Sequence, residues 1–462
     1  MIQKKWHDVR DLFRSTDSAE VGRFSIQLRN IGHLLTGNFL SAAVAVAAMA
    51  LAARAIGPTN FGILALGMAL TQAMERLLSF QTWQPLIKYG SDLMESGRRD
   101  DYRQLIKVTL LLDVSTALVG WLLAVSIILV GGERFGWSEQ SVLSGLIYSC
   151  VLLTAINGSP IGVLRLAGRF KDIAYLQFIG MSVRLVFSVI GFLLEWGLIG
   201  FTLIWAGTTM LSAVMLLVSA AYSLKREGLL DFFGASVSGV SEKFQGFWNF
   251  TIGANVSLIV RSAPQQFDTL IVGALTGPTG AGFYHIAKRF GKFAEQAGLQ
   301  VQAVVYPDIA KLWARGDHQQ IRRIFLRTEI SMMLLCALGV ALTILVAPTG
   351  LRLLVGPEYI AASPLVVLQI CAISLMLVGS TARSGVLAAG HTNALLVLSS
   401  VCAVVFFAFA MRLVPEMGPQ GANIAHIVQQ GVFLIGVTIL FRRASRALSV
   451  TPPRVVDPAP GE

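Results

Sequence analysis

The stretch IGPTNFGIL, residues 56–64, has a second copy far along the chain in LTGPTGAGFY, residues 275–284. Gly57, Pro58 and Thr59 match Gly277, Pro278 and Thr279, and Gly62 matches Gly282, an offset of 220 residues. The likeness resumes beyond the next apolar segment, where LMESGRRDDYRQLIK parallels LWARGDHQQIRRIFL. Gly97 stands against Gly316 and Arg103 against Arg322, an offset of 219. Two matches at nearly one offset mark an internal duplication with a long period.

What is duplicated follows from composition. The chain has 462 residues, of which 54% are hydrophobic and only 14% charged, and its mean hydropathy is +0.66. That balance does not suit an ordinary soluble domain. Apolar windows of the roughly 20 residues needed to cross a bilayer recur from residue 31 to residue 442. About twelve spans are expected, near 31–56, 61–83, 105–131, 140–157, 172–194, 197–223, 246–275, 280–303, 325–347, 359–380, 391–413 and 419–442.

Charge orders these spans across the membrane. Connectors such as KYGSDLMESGRRDDYRQLIK, LRLAGRFKD and KLWARGDHQQIRRIFLR hold most of the Lys and Arg, and they fall on the side of the charged N-terminus. The alternate connectors, among them IGPTN, EWG, LTGPTG and VPEMGPQG, are short, rich in Gly and Pro, and poor in cations. By the positive-inside rule both termini are cytoplasmic. The net charge of +11 thus reflects membrane topology, and no nucleic-acid partner is implied. The N-terminus lacks the apolar core of a signal peptide. Residues 8–30 are either a surface amphipathic helix or a solvated segment. Cys150, Cys336, Cys371 and Cys402 all lie in apolar runs without CxxC spacing, which suits structural thiols.

Each repeat holds an even number of spans, so the halves run parallel, related by an axis along the membrane normal. The expected fold is an all-α polytopic membrane protein with about 12 transmembrane helices in two parallel six-helix lobes around a central basic cavity. The divisions are a cytoplasmic segment 1–30, an N-terminal transmembrane lobe 31–223, a linker 224–245, a C-terminal transmembrane lobe 246–442 and a cytoplasmic tail 443–462. This architecture suits an alternating-access carrier better than a duplicated scaffold.

The cavity is read from FYHIAKRFGKFAEQAGLQ, residues 283–300. At about 100° per residue, His285, Lys288, Arg289, Lys292, Glu295 and Gln296 share one helix face, with Gln300 just past its edge. The other face carries Phe283, Ala287, Phe290, Ala294, Ala297 and Gly298, suited to close packing. A charge at the bilayer centre costs at least about 2.5–3.5 kcal/mol, so the stripe belongs in a hydrated cavity rather than in lipid. Snorkelling of Lys288 or Lys292 accounts for one residue at a helix end, not for the stripe.

The preceding span agrees. Arg261, Gln265 and Asp268 share a face, and Pro264 between them predicts a kink that serves as a hinge. Internal pairing of Arg261 with Asp268 is the alternative. In the first lobe, Gln72, Glu75, Arg76 and Ser79 lie on one side of the second span, and the repeat offset carries Glu75 onto Glu295. Arg184 sits mid-span, between a cavity role and a helix contact. Asp113 and His426 are expected to be structural. The lumen is therefore net basic and suits an anion, because Arg and Lys bind phosphate strongly where water is partly excluded. No metal cluster, Gly-rich phosphate loop or activated nucleophile is evident, so no cofactor is implied.

QFDTLIVGALTGPTGAGFYHIAKRF, with VVYPDIAKLWARGD behind it and ARAIGPTNFGILALGMAL as its first-lobe version, resembles the polysaccharide-exporting branch of the superfamily that also holds the multidrug and toxin extrusion carriers and the lipid II flippases. The resemblance implies a bacterial inner-membrane flippase for undecaprenyl-pyrophosphate-linked oligosaccharide repeat units, coupled to a proton or sodium gradient and working beside a polysaccharide polymerase complex. Lipid II flippases have two further C-terminal helices that lack a counterpart after Arg443, which points instead to O-antigen, exopolysaccharide or capsule assembly. Under that reading Arg289 and Lys292 hold the pyrophosphate, Arg261, His285 and Lys288 assist, and Asp268, Glu75 and Glu295 are coupling carboxylates. Gln72, Arg76, Arg184, Gln265 and Gln296 complete the cavity. The rivals are an ion-coupled drug or metabolite antiporter of the same fold and a membrane polymerase or ligase acting on the same lipid-linked sugars.

Overall fold

The computed structural model describes the backbone of residues 18–135, 137–315 and 318–450, and the side chains of residues 41–134, 137–296 and 325–445. The side chains of the N-terminal segment, of Gln300, Gly316 and Arg322, and most of the tail lie outside the described residues. The protein is a polytopic all-α membrane protein, and no strand occurs among the described residues.

The first lobe comprises α1 (Ser18–Leu78), α2 (Trp83–Glu95), α3 (Arg99–Phe135), α4 (Glu139–Ser149), α5 (Gly158–Leu166), α6 (Phe170–Leu193) and α7 (Leu198–Arg226). The second comprises α8 (Phe247–Arg315), α9 (His318–Leu354), α10 (Ser363–Val378), α11 (Ser380–Ala388), α12 (Thr392–Met417) and α13 (Pro419–Val450). Among the described residues, nine helical segments are long and apolar enough to cross a bilayer. The long helix α8 is not one of them, because Arg261, Asp268, Lys288, Arg289 and Lys292 lower its hydropathy.

Both long helices bend at the duplicated motif. Gly57 has φ 74° and ψ 170°, and Gly277 has φ 81° and ψ 178°, a conformation strained for any residue with a Cβ. Each bend splits its helix into two antiparallel arms, and the proline that follows starts the second arm with its φ already set. Counting each arm separately, and joining α1 to α2, α4 to α5 and α10 to α11 across their short breaks, gives six spanning segments in each lobe.

The repeats meet at these bends. Thr59 and Thr279, equivalent in the duplication, hydrogen-bond through their Oγ1 atoms at 2.8 Å, so the pseudo-twofold axis passes between them. Gly62 and Gly282 let the helices cross: a Cβ on Gly62 would fall 1.7 Å from the Pro278 carbonyl oxygen, and one on Gly282 would fall 2.5 Å from that of Pro58. Just below, Leu66 fills the space left by Gly273. The Tyr359 hydroxyl donates to the Ala53 carbonyl at 2.9 Å, a second bond from lobe to lobe.

One apolar core spans the lobes at this end. It gathers Ala52, Phe61 and Leu64 of α1, Phe201 of α7, Ile286 and Ala287 of α8, and Tyr359 and Leu365 beyond α9. Towards the opposite end the core divides. Leu86, Tyr102, Leu105, Val163 and Phe232 form one cluster in the first lobe, and Phe325, Val386, Leu395 and Phe441 form another in the second. Among the described residues the lobes therefore share one core at the Gly-Pro end and have separate cores towards the linker end, where Phe247 of α8 still packs in the first-lobe cluster.

The linker is strapped to the first lobe. Arg103 pairs with Asp231 at 2.9 Å, and Lys107 donates to the carbonyls of Phe233 and Ala235, both at 2.7 Å. Lys243 pairs with Asp101 at 2.8 Å, and Gln104 donates to the Ser238 carbonyl at 2.6 Å. Residues 228–243 are thus bound to the first lobe, and beyond the left-handed Gly246, φ 77°, Phe247 still packs in the first-lobe cluster and Phe250 lies under Lys88.

Two sequence expectations change. The backbone stays helical through Pro264, and the non-helical residue of α8 is Gly277 instead. A lone proline removes one helical hydrogen bond without breaking the helix, so the expected local break does not occur at Pro264. The connector APTGLRLLVGPEY is also mostly helix, since α9 continues through Pro348 to Leu354.

Candidate functional site

At about 1.5 Å per residue, the second arm of α8 carries Lys288 to about 16 Å below Gly277, Arg289 to about 18 Å and Lys292 to about 22 Å. Half of a 30 Å hydrocarbon core is about 15 Å, so Lys288 lies close to mid-membrane. Asp268, nine residues before Gly277 on the first arm, comes to about the same depth. The two meet: Lys288 Nζ lies 2.6 Å from Asp268 Oδ1.

Asp268 is the centre of a closed network. Only 1% of it is exposed, and its carboxylate accepts from the Thr269 amide at 2.5 Å and from the Tyr284 hydroxyl at 2.9 Å. His426 Nε2, from α13, lies 3.2 Å from Oδ2. Nδ1 of the same ring faces Gln429 Oε1 at 3.0 Å. A protonated ring satisfies both contacts, and so does a neutral ring with the Gln429 amide reversed. Lys288 also donates to the Gln265 carbonyl. Its ammonium is thus neutralised within the second lobe, and the internal pair is Lys288 with Asp268 rather than Arg261 with Asp268. Arg261 is exposed and donates from Nε to the Ser257 carbonyl at 3.2 Å.

The rest of the stripe is less engaged. His285 stacks edge-on against Phe61 of the first lobe, with ring centroids 6.0 Å apart, and its buried Nδ1 has no hydrogen-bond partner among the described residues. Arg289 and Lys292 make no side-chain hydrogen bond or close ion pair among the described residues, although the Glu295 carboxylate draws electrostatically on Lys292. Lys292 and Gln296 are exposed, and Glu295 is half-buried. Phe283 and Phe290, on the opposite face, pack against the core shared by the lobes, and Phe283 meets Tyr359 edge-on at 5.8 Å.

The first lobe presents its own polar wall. Arg184 donates to Thr208 Oγ1 at 2.9 Å and to Thr209 Oγ1 at 2.8 Å, and it lies over the Trp205 ring at 5.4 Å. Arg184 and Arg289, from opposite lobes, are close enough for their charges to repel. Glu75 accepts from Asn157 at 3.3 Å, while Gln72 and Arg76 are exposed on the same arm of α1. Asp113 is buried in a structural role: it accepts from Thr82 Oγ1 and from both the amide and the hydroxyl of Ser159, all at 2.7 Å. It thereby ties the break after α1 to the break before α5. Gly158 is required there, because a Cβ would fall 1.9 Å from Thr82 Oγ1.

Sequence periodicity placed Asp268 and Lys288 on facing arms but did not pair them. Nor did it join Tyr284 and His426 to them, since His426 lies 158 positions from Asp268. Arg383 was missed altogether. It sits in TARSGVLAAGH, which reads as a short connector, whereas the chain there is the helix α11.

The family model described as polysaccharide biosynthesis protein matches residues 27–313. Inner membrane protein YghQ of Escherichia coli (strain K12) is 24% identical over 348 residues, which are 75% of this chain and 97% of that protein. Among solved structures, a multidrug resistance MATE family transporter of the MOP superfamily in an inward-facing conformation superposes with TM-score 0.72 at 18% identity, covering 89% of this chain and 96% of that one. The lipid II flippase MurJ in an inward closed conformation superposes with TM-score 0.68 at 14% identity, covering 90% of both chains. These two likenesses are of fold.

Proposed function

Because the chain belongs to the polysaccharide biosynthesis protein family, we propose that it is a flippase. It carries undecaprenyl-pyrophosphate-linked oligosaccharide repeat units from the cytoplasmic to the periplasmic leaflet of a bacterial inner membrane. The observation that carries this reading is the pair of cations Arg289 and Lys292 on α8, unpaired among the described residues, with Arg184 opposite Arg289 on the first lobe. Two groups that repel each other across a cleft are drawn together by an anion placed between them. A pyrophosphate supplies that charge, while its prenyl tail stays in lipid and its sugars occupy the wet cleft.

Alternating access follows from the way the lobes are joined. With both termini cytoplasmic, the Gly-Pro end faces the periplasm and is closed by Thr59–Thr279, Tyr359–Ala53 and the shared core. The cleft then opens towards the cytoplasm, where the headgroup enters. Rocking the lobes so that the crossing of Gly62 and Gly282 separates opens the other side. A carrier must release what it binds, so several moderate contacts serve better than one tight one.

Asp268, Glu75 and Glu295 are the candidate coupling carboxylates of this scheme. Protonating Asp268 frees the Lys288 ammonium and raises the positive charge beside Arg289 and Lys292, tightening their hold on phosphate. Sodium binding to the carboxylate has the same effect. The antiporter reading of the fold predicts a cleft dominated by carboxylates, whereas among the described residues Arg184, Arg289 and Lys292 stand beside Glu75 and Glu295.

The test is mass spectrometry of lipid-linked oligosaccharides in a deletion strain complemented with Lys292→Ala. Accumulated undecaprenyl-pyrophosphate repeat units with loss of polymer support the flippase. Normal polymer with raised sensitivity to cationic compounds favours the antiporter.

A further inference from the structure

The second lobe holds a pocket of about 290 Å³ that is separate from the Arg289 and Lys292 pair. Its walls come from the first arm of α8 and from α10, α11, α12 and α13. Two arginines, Arg261 and Arg383, project into it from different helices. They are near enough to repel, and neither is paired with a carboxylate among the described residues. Charges of one sign gathered in a membrane protein without a counter-ion mark a site for a ligand of the other sign.

We infer that this pocket is the subsite for an acidic sugar, a monosaccharide bearing a carboxylate, within the glycan headgroup. The inference rests on the flippase reading and names the class of headgroup it transports. Three features separate a sugar acid from a bare phosphate. Between the arginines the lining is dense in neutral hydrogen-bonding groups, among them Gln265, Asn393, Ser399 and Gln430, which match ring hydroxyls. Phe433 supplies an apolar face for the C–H side of a pyranose. The volume, about 290 Å³, exceeds what a bare phosphate fills and admits a substituted sugar ring. The pocket also lies among five helix segments of one lobe, whereas Arg289 faces Arg184 of the other lobe. Arg is the suitable cation, since its planar fork binds a carboxylate through two parallel hydrogen bonds.

The pocket is wired to the buried network. Gln429 lines it and also faces His426, which in turn contacts Asp268. A sugar acid that engages Gln429 therefore bears on the same carboxylate as Lys288.

The experiment uses the full-length protein in detergent, with glucuronate, glucose and inorganic pyrophosphate as separate probes, read by calorimetry and by the shift in melting temperature. Glucuronate is expected to bind and stabilise while glucose does not. Arg383→Gln should weaken glucuronate roughly tenfold to a hundredfold, as expected for loss of a charged hydrogen-bonding partner. Arg383→Lys should restore part of the loss, and an unchanged elution volume on size exclusion guards against misfolding. Pyrophosphate should bind Arg383→Gln as it binds the unsubstituted protein, and should be lost in Arg289→Gln. Equal binding of glucose and glucuronate would overturn the proposal. So would a loss of pyrophosphate binding in Arg383→Gln, because the pocket would then be the phosphate site. Absence of pyrophosphate binding at Arg289, with glucuronate binding intact and dependent on Arg383, would count against the flippase reading and leave the sugar-acid subsite standing.

Discussion

Replacing Gly62 with alanine should loosen the closed end of the protein. The added Cβ would stand 1.7 Å from the Pro278 carbonyl oxygen and 2.5 Å from its carbon, against the 3.4 Å at which ordinary contact begins. That carbonyl is backbone at the start of an arm of α8 and cannot rotate aside, so the crossing must widen by about 1.7 Å. Overpacking of this kind costs about 1–3 kcal/mol. All of it falls on the closed state, because the crossing separates when the lobes rock apart. The closed population should therefore fall by about five- to 150-fold relative to the open one. Thr59→Cys with Thr279→Cys reads this out, since the parent Oγ1 atoms are 2.8 Å apart and a disulfide needs about 2.05 Å between sulfurs. With the four native cysteines replaced, the pair should cross-link readily in membranes under mild oxidant. Cross-linking should block export, and reduction should restore it. Adding Gly62→Ala should slow cross-linking at least several-fold. Adding Gly207→Ala, where a Cβ meets nothing within 4 Å, should leave it unchanged. Cross-linking at the unsubstituted rate in Gly62→Ala would refute both the crossing and the closure argument.

Three further outcomes follow from the interior. Lys288→Met leaves Asp268 buried without its cation and should lower stability by about 3–5 kcal/mol, seen as a lower melting temperature in detergent; adding Asp268→Asn should recover most of the loss. Asp113→Ala removes the acceptor for Thr82 and Ser159 and should destabilise by about 1–3 kcal/mol, with pyrophosphate affinity at Arg289 unaltered. Arg103→Ala with Lys107→Ala releases the linker from the first lobe, so limited proteolysis should cut residues 228–240 several-fold faster, while unchanged cleavage would mean that the strap carries no load.

Much of the architecture is legible before any coordinate. The apolar windows, the alternation of charged and Gly-rich connectors and the 220-residue offset define two parallel lobes, because each expresses a constraint local in sequence or repeated along it. The matched Gly57 and Gly277 mark the bends for the same reason, since positive φ is the property of a single residue. The polar stripe at His285, Lys288, Arg289, Lys292 and Glu295 is likewise visible, being a matter of helical period.

What helical period lacks is partner identity. Lys288 and Arg289 are neighbours of like charge in the sequence, yet one is neutralised by Asp268 and the other faces Arg184 across the lobes. His426 and Tyr284 converge on one carboxylate from separate helices, and Arg261 meets Arg383 in a pocket built by five. The chain alone determined that cations enter the membrane interior and on which helix face they stand, because burial of charge and the 3.6-residue turn are properties of a segment. Only the tertiary structure decided which cations are spent internally and which stay free for a ligand, because pairing depends on distances of a few ångströms between residues that the sequence leaves far apart.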